Sequence, residues 1–542
     1  MLGLMQDWPL LCHRMIDHAA TIHGDREVVT RSVEGPIHRT TYRAVRARAL
    51  KVAQRLDKDG IRVGDRIATL GWNTWRHLEA WYGIMGVGAV CHTVNPRLFP
   101  EQIAWIMNHA EDRVLMLDLT FVPLIEAIAD KLPSVERYII YTDAAHMPQT
   151  RLKNAVAYED WIAGADGDYA WKSFDENTAA AMCYTSGTTG DPKGVLYSHR
   201  SNVLHAFIAN AGDSLGTSAG DTIMPVVPMF HANSWGIAFS APAIGARLVF
   251  PGPRLDGASV YELLETERVN HAVGVPTVWQ MLLGHMERGN LALPDLKMVV
   301  CGGSAMPRAM IKAFVDRGVK VRHAWGMTEM SPIGTIAALK SPFTAAEGEE
   351  RLDVLQSQGY PPFGVAMKIT DDAGRAQPWD GKTYGRLKVA GPAVARAYYR
   401  VAENVLDEEG YFDTGDVATI DPHSYMRITD RSKDVIKSGG EWISSIELEN
   451  LAAGHPAVAE AAVIGIAHPK WYERPLLIVR LKPESRATRE DLLGFMSGKI
   501  AKWWLPDDVV FVDDIPHNAT GKVQKAVLRE RFRHHPLPDV AA

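Results

Sequence analysis

Apolar residues return at two different periods along this chain, and the alternation between them sets out its architecture. From Tyr42 to Asp59 they recur at helical spacing, Arg66 to Leu70 reads as a strand, and Trp75 to Gly86 is helical again. The alternation resumes at Met298 to Cys301, a short apolar strand. Pro307 then opens a helix carrying Met310, Ile311, Phe314 and Val315 on one side, Gly318 ends it, and Val319 to His323 makes the next strand. Strands alternating with helices predict an α/β fold.

Towards the end of the chain the pattern becomes that of a smaller α+β unit. Its expected elements are helix Ser445 to Ala453, strands Ala461 to Ile466 and Leu476 to Leu481, helix Arg489 to Trp504 and strand Val509 to Val512. The charged, polar stretch from Ile428 to Lys433 suits a linker. The expected division is therefore a large N-terminal α/β domain with several subdomains over 1–429, a linker over 430–433 and a small C-terminal α+β domain over 434–542. At 542 residues the chain is too long for one core, since domains usually hold about 150 residues.

Composition narrows the class. Hydrophobic residues make up 46% and charged residues 23%, the balance of a soluble globular protein, and a net charge of -6 with no basic stripe argues against a nucleic-acid partner. Cys12, Cys91, Cys183 and Cys301 lie in apolar surroundings without metal-ligand spacing, as reduced core residues of a cytoplasmic protein would. Met1 to Leu11 lacks the basic start of a signal peptide, and no apolar run reaches the ~18 residues of a membrane span.

The densest chemistry lies between two strand-like runs, Ala179 to Tyr184 and Val195 to Tyr197. The turn joining them holds Thr185, Ser186, Gly187, Thr188, Thr189, Gly190 and Lys193. Glycines let backbone N–H groups approach an anion, the hydroxyls add donors and the lysine adds charge, so the turn reads as a phosphate cradle. An ordinary polar hairpin turn is the plain alternative. A Walker A loop is excluded, because Lys193 follows Pro192 and precedes Gly194-Val195 instead of a Ser or Thr opening a helix.

Further segments follow in order: Pro228-Met229-Phe230-His231 with Trp235, Gly302-Gly303-Ser304-Ala305, Trp325-Gly326-Met327-Thr328-Glu329, Gly385-Arg386-Leu387-Lys388-Val389-Ala390-Gly391-Pro392, Thr414-Gly415-Asp416, Asp430-Arg431-Ser432-Lys433-Asp434 and Gly521-Lys522. With the loop, they resemble, nearly end to end, the adenylate-forming superfamily of acyl-CoA synthetases, luciferases and nonribosomal adenylation domains. The resemblance implies an ATP-dependent enzyme that activates a carboxylic acid as its adenylate and transfers it to coenzyme A. It implies that the loop holds the β and γ phosphates, that Glu329 binds Mg²⁺, and that Lys522 bridges the α-phosphate and the reacting carboxylate. It places Gly302, Gly303, Ser304 and Ala305 beside adenine, and His323, Ala324, Trp325, Gly326, Met327 and Thr328 around the nucleotide, with Thr328 on the α-phosphate. Asp416 would take the ribose hydroxyls, with Ile428 and Arg431 close by.

Plainer readings stand beside these. Glu329 could be a surface carboxylate, although it follows a strand at the end where open α/β sheets bind ligands. Asp416 could cap a turn after Gly415, Gly302 to Ala305 could be a mere strand-to-helix connection, and a lone Lys522 would ordinarily be solvated.

The resemblance further implies two faces on a mobile C-terminal domain. Lys522 serves adenylation, whereas Lys437, Gly439, Gly440, Glu441 and Trp442 serve thioester formation, with Lys433 at the hinge. His231 would border the reacting carboxylate, and Trp235, Gly302 and Trp325 would shape the acyl pocket; His231 and Trp235 also fit one turn of a core helix. The segments Phe230 to Gly236 and Lys437 to Ser445 resemble most the bacterial medium-chain and 3-methylmercaptopropionate-CoA ligases. That points to 3-methylmercaptopropionate, or else a short or medium fatty acid, as substrate, and a homodimer is a possible assembly. Departures from the family pattern include Arg386 for an acid, Trp325 for a tyrosine, Ser424 for a glycine and His517-Asn518 before Gly521-Lys522. A ligase that loads a carrier protein, a luciferase-like oxygenase and a non-catalytic sensor are the rival functions.

Overall fold

The computed structural model describes residues 1, 3–185, 191–431, 434–439, 441–517 and 523–538, without the side chains of Glu441 and Trp442. Two large sheets dominate it. One has seven strands in the spatial order 155–157, 137–140, 112–117, 66–70, 90–93, 179–185, 193–198, all parallel except the last. The other has eight, in the order 333–336, 320–326, 298–301, 271–274, 222–225, 247–250, 27–31, 37–41, with an antiparallel strand at each edge of a parallel centre. Parallel strands covered by helices on both faces are buried at nearly every position and mostly apolar, and Met298–Cys301 and Val90–Thr93 are buried throughout, His92 and Thr93 included.

The main core lies where these sheets share helices. His13–Ile22, Tyr42–Lys58, Trp75–Gly86 and Ile237–Ile244 contribute side chains to one cluster that also takes strand residues from both sheets. Trp75–Gly86 is buried along its whole length, which explains why its apolar stripe is so broad. Thr41 and Thr74 start two of these helices, accepting hydrogen bonds from the N–H groups of Ala44 and His77.

An antiparallel four-stranded sheet follows, made of 366–370, 385–390, 412–420 and 426–431. Its last strand runs through Asp430 and Arg431, paired with Val417 and Asp416, so the stretch read as linker from Ile428 is strand as far as Arg431. Ser424, in the turn before it, takes φ +68°, the left-handed conformation that a glycine would adopt with less strain. The terminal unit is a five-stranded sheet of 441–443, 436–438, 472–481, 458–468 and 508–511 with its own core.

Several strands, such as Val458–His468 and Tyr472–Leu481, run longer than the sequence reading, and two helix boundaries differ for a visible local reason. The helix expected over Arg489 to Trp504 stops at Met496, because Ser497 turns extended and Gly498 takes φ +78°; Lys502–Trp504 is a separate single turn. Pro307 is the extended residue before its helix, which begins at Arg308.

Candidate active site

A cavity of about 660 Å³ opens where the eight-stranded sheet, the seven-stranded sheet and the four-stranded sheet meet. Its wall includes the expected residues Thr185, Lys193, His231, Trp235, Gly302, Gly303, Ala324, Trp325, Gly326, Met327, Thr328, Glu329 and Arg431. Segments scattered over the sequence thus converge on one space at the C-terminal ends of strands, as ligand sites in open α/β sheets do.

The strand Lys320–Gly326 ends at this space and is followed by the single turn Thr328–Met330. Two bonds hold the turn: the Tyr197 hydroxyl donates to the Thr328 carbonyl at 2.7 Å, and the Ala395 N–H donates to the Glu329 carbonyl at 2.7 Å. Glu329 is buried, and its Oε1 accepts from the Tyr398 hydroxyl at 2.7 Å. Burial pushes its carboxyl above the ordinary range while Tyr398 pulls it back. The Lys193 ammonium lies 4.9 Å from the Tyr398 ring centre, so this tyrosine touches both the acid and the phosphate-loop lysine. Tyr398 was not foreseen from the sequence; its tyrosine pair with Tyr399 carries no periodic signal.

Asp416 is buried, lies behind Thr414 and Gly415 of the cavity wall without lining it, and has one partner on each carboxylate oxygen. Its Oδ2 accepts from the Trp325 indole at 2.9 Å, and its Oδ1 lies 2.7 Å from the Arg431 guanidinium. The Thr414 hydroxyl accepts from the Asp416 N–H, fixing the turn that presents it. Trp325, expected to reshape the acyl pocket, therefore also orients the acid expected to meet the ribose. Arg386, another departure, pairs with Asp413 at 2.8 Å.

The segment bearing His231 and Trp235 is a finding that periodicity did not foresee. Ala232, Asn233, Ser234 and Trp235 have φ of 41°, 57°, 53° and 51°, and Gly236 follows at 76°, so the turn winds left-handed and is no core helix. Such a conformation costs roughly 1–2 kcal/mol for each non-glycine residue. Tertiary contacts hold it: Ser234 Oγ donates to the Val227 carbonyl at 2.9 Å, and the Cys183 thiol donates to Asn233 Oδ1 at 3.4 Å. Gly236 lies against the ring of His205, where any Cβ would come within 2.6 Å. The turn lays the Trp235 indole over Gly302, leaving no slack for a side chain there.

Asn73, on the seven-stranded sheet's side, braces the same segment. Its amide nitrogen donates to the carbonyls of Pro225 and Val227 at 2.8 and 2.9 Å, and its oxygen accepts from the Met229 N–H at 2.6 Å. Asn73→Asp replaces the donor with an anion facing two carbonyls. The expected loss of stability is about 2–4 kcal/mol, read from the denaturant midpoint. A loss under 0.5 kcal/mol would contradict this account.

Other expected residues lie off the cavity wall. His323 is buried beneath the site; its Nε2 accepts from the Met306 N–H at 3.2 Å, its Nδ1 meets the Gln356 carbonyl at 3.1 Å, and burial pushes it down to about 4. Its side chain is thus a core support and not a nucleotide contact. Ser304, Ala305 and Ile428 do not line the cavity, and the Ile428 N–H is bound by Gln358. Lys437 and Gly439 stand on the terminal unit away from the wall, with Gly439 at φ +61° against the Trp471 ring. Ser186, Gly187, Thr188, Thr189, Gly190, Lys433, Gly440, Lys522 and the side chains of Glu441 and Trp442 lie outside the described residues. Val523, next to Lys522, lines the cavity, as does Asp434 next to Lys433.

The cavity thus brings a buried acid, Glu329, and a lysine, Lys193, together with apolar walls. Residues 16–399 match the AMP-binding enzyme family and residues 447–522 match the AMP-binding enzyme C-terminal domain, and the chain belongs to that family. It is an acid-thiol ligase of the AMP-forming acyl-CoA synthetase class. It is 49% identical to a 3-methylmercaptopropionyl-CoA ligase of Ruegeria lacuscaerulensis, covering 98% of this chain and 99% of the relative. A medium-chain-fatty-acid-CoA ligase of Ectopseudomonas oleovorans is 47% identical, with 98% of each covered. Among solved structures, an anthranilate CoA ligase in complex with anthranoyl-AMP superposes with a TM-score of 0.86 at 25% identity, over 97% of this chain and 99% of that one. Among the described residues no helix is long and apolar enough to cross a membrane.

Proposed function

We propose that this ligase activates a short, apolar carboxylic acid, with 3-methylmercaptopropionate as the first candidate, and that the residues named above divide the two half-reactions between them. The observation that carries the choice of acid is the apolar part of the cavity lining, Leu215, Ile237, Val273, Val300, Ile333 and Ile336 together with Trp235. Among the described lining residues the carboxylates are Glu329, Asp413 and Asp434; the last two are paired with Arg386 and Arg529, and Glu329 is the one assigned to the metal. A substrate ammonium group would find no partner, which disfavours amino acids. The 47% identity to a medium-chain ligase supports a medium-chain fatty acid as the second reading, since exchanging a methylene for sulfur changes apolar pocket energetics only modestly.

In the first half-reaction a carboxylate oxygen attacks the α-phosphorus of ATP and pyrophosphate leaves. Lys522 offsets the charge repulsion at the α-phosphate, Lys193 and its loop hold the outgoing phosphates, and Asp416 with Arg431 fixes the ribose. A magnesium ion, when bound, would neutralise phosphate charge. Glu329 fits it, because Mg²⁺ is usually held by one or two carboxylates together with substrate phosphates instead of a closed protein cage. His231 borders the reacting carboxylate. In the second half-reaction the terminal domain, 434–542, turns about the hinge at 430–433. The face with Lys437, Gly439, Gly440, Glu441 and Trp442 then admits the thiol of coenzyme A, whose sulfur attacks the acyl carbonyl as AMP leaves.

Acids from propionate to dodecanoate, 3-methylmercaptopropionate and several amino acids, tested with ATP, Mg²⁺ and coenzyme A, decide the reading. The highest kcat/KM is expected on 3-methylmercaptopropionate or an acid of similar length. A preference for an amino acid or for a long chain would overturn it.

A further inference from the structure

Adjacent residues of a strand point to opposite faces, and at the end of the strand Met426–Arg431 this alternation serves two sites. Arg431 points to Asp416 at the cavity. Asp430, 1% exposed, points the other way, into the terminal domain. There it meets the N-terminus of helix Ser445–Ala453, whose first N–H groups have no partner within the helix. Asp430 Oδ2 accepts from the Ser445 N–H at 2.9 Å and from the Ser445 hydroxyl. The neighbouring Ser444 hydroxyl donates to the Thr429 carbonyl at 2.6 Å. An anion at a helix N-terminus is favoured by both hydrogen bonding and the helix dipole.

The same serine is tied to the segment that follows Lys522. The Lys525 ammonium donates to the Ser445 hydroxyl and pairs with Glu449 at 2.7 Å, and Glu449 in turn accepts from the Val463 N–H. One turn further along Lys525–Arg531, Arg529 pairs with Asp434, immediately beyond the hinge. The segment leading into this helix is set by His517 pairing with Val523 and by the Gln524 N–H on the Pro516 carbonyl. Lys525 thus ties the serine that Asp430 holds to the helix that follows Val523, a residue of the cavity wall. Of these groups only Thr429, just before the hinge, and Asp430, its first residue and still in the large domain's strand, are not part of the terminal domain, so the contacts of Ser444 and Ser445 with them are the ones a rotation beyond Arg431 would have to break.

We propose that Asp430, Ser445 and Lys525 form a latch across the hinge that holds the terminal domain in the orientation in which Val523 lines the cavity, the one for adenylation. They are positioning residues and touch no reacting atom. The inference rests on the two-orientation reading above. Its consequence is asymmetric: weakening the latch penalises the first half-reaction and leaves the second, which takes place after the latch has opened, intact or faster.

The test measures both halves separately, as acid-dependent exchange of pyrophosphate into ATP and as conversion of supplied acyl adenylate and coenzyme A to thioester. Ser445→Ala removes the shared hydroxyl without leaving a buried charge unpaired, and Asp430→Asn provides a second variant of nearly unchanged shape. Each is expected to slow the exchange about tenfold, the worth of one hydrogen bond to a charged group, with thioester formation undiminished and thermal unfolding within a few degrees of the parent. Lys522→Ala and Lys437→Ala serve as controls. If they separate the two halves while the latch variants slow both equally, or neither, the latch is wrong and the two-orientation reading stands. Equal damage to both halves in the controls removes that reading and the latch with it.

Discussion

Replacing Lys522 with alanine is expected to slow adenylation by about two to three orders of magnitude, the usual effect of removing one charge stabiliser aimed at the transition state. The attacking carboxylate and the phosphate repel each other, and a cation at about 4 Å from such an anion is worth roughly 4 kcal/mol at the effective dielectric of a protein near its surface. Among the described residues, neither Lys193 nor Lys525 is free to take over this role. Lys193 stands over the Tyr398 ring, and Lys525 is committed to Ser445 and Glu449. Conversion of supplied acyl adenylate to thioester should be largely spared. Comparable losses in both half-reactions would count against assigning Lys522 to adenylation.

Glu329→Gln is expected to lower adenylation by about a hundredfold and to raise the Mg²⁺ concentration needed for half-maximal rate, because the amide keeps the shape but loses the charge. A magnesium titration of pyrophosphate exchange measures both. The pH dependence follows from the surroundings. Burial raises the Glu329 carboxyl, and the ionised form is the one that can hold the metal, so the rate should fall as pH drops through that raised value. The Tyr398 hydroxyl stabilises the ionised form. Tyr398→Phe should therefore move the acidic limb to higher pH. A limb that stays in place, or a Glu329→Gln enzyme with unchanged magnesium demand, would remove Glu329 from the metal's reach.

Much of the fold could be read from local pattern. Trp75–Gly86 and Arg66–Leu70 have the bounds that their periodicity indicates, because each repeats one environment over several residues. Pattern failed where one or two residues overrode a trend, as at Ser497 and Gly498, which cut short an otherwise apolar helix. His323 lies in a segment that the resemblance set around the nucleotide, yet its side chain turns inward and off the cavity wall, since alternate residues of a strand face opposite sides. Neither Tyr398 nor Asn73 could be found from the sequence, because each acts on groups far along the chain: Tyr398 on Glu329, Asn73 on Val227 and Met229.

The sequence by itself determined the class of chemistry. The Gly-, Ser- and Thr-rich loop before Lys193 and the residues Glu329, Asp416 and Lys522 are of types suited to that reaction, and their order along the chain is visible without coordinates. Only the tertiary structure decided how they are held. The left-handed turn under Trp235 is disfavoured locally and persists through bonds from Ser234 and Cys183, and Asp416 is oriented by an indole from another sheet. Local preference extends over a few residues, whereas strain and buried charge are balanced by partners that only folding brings within reach.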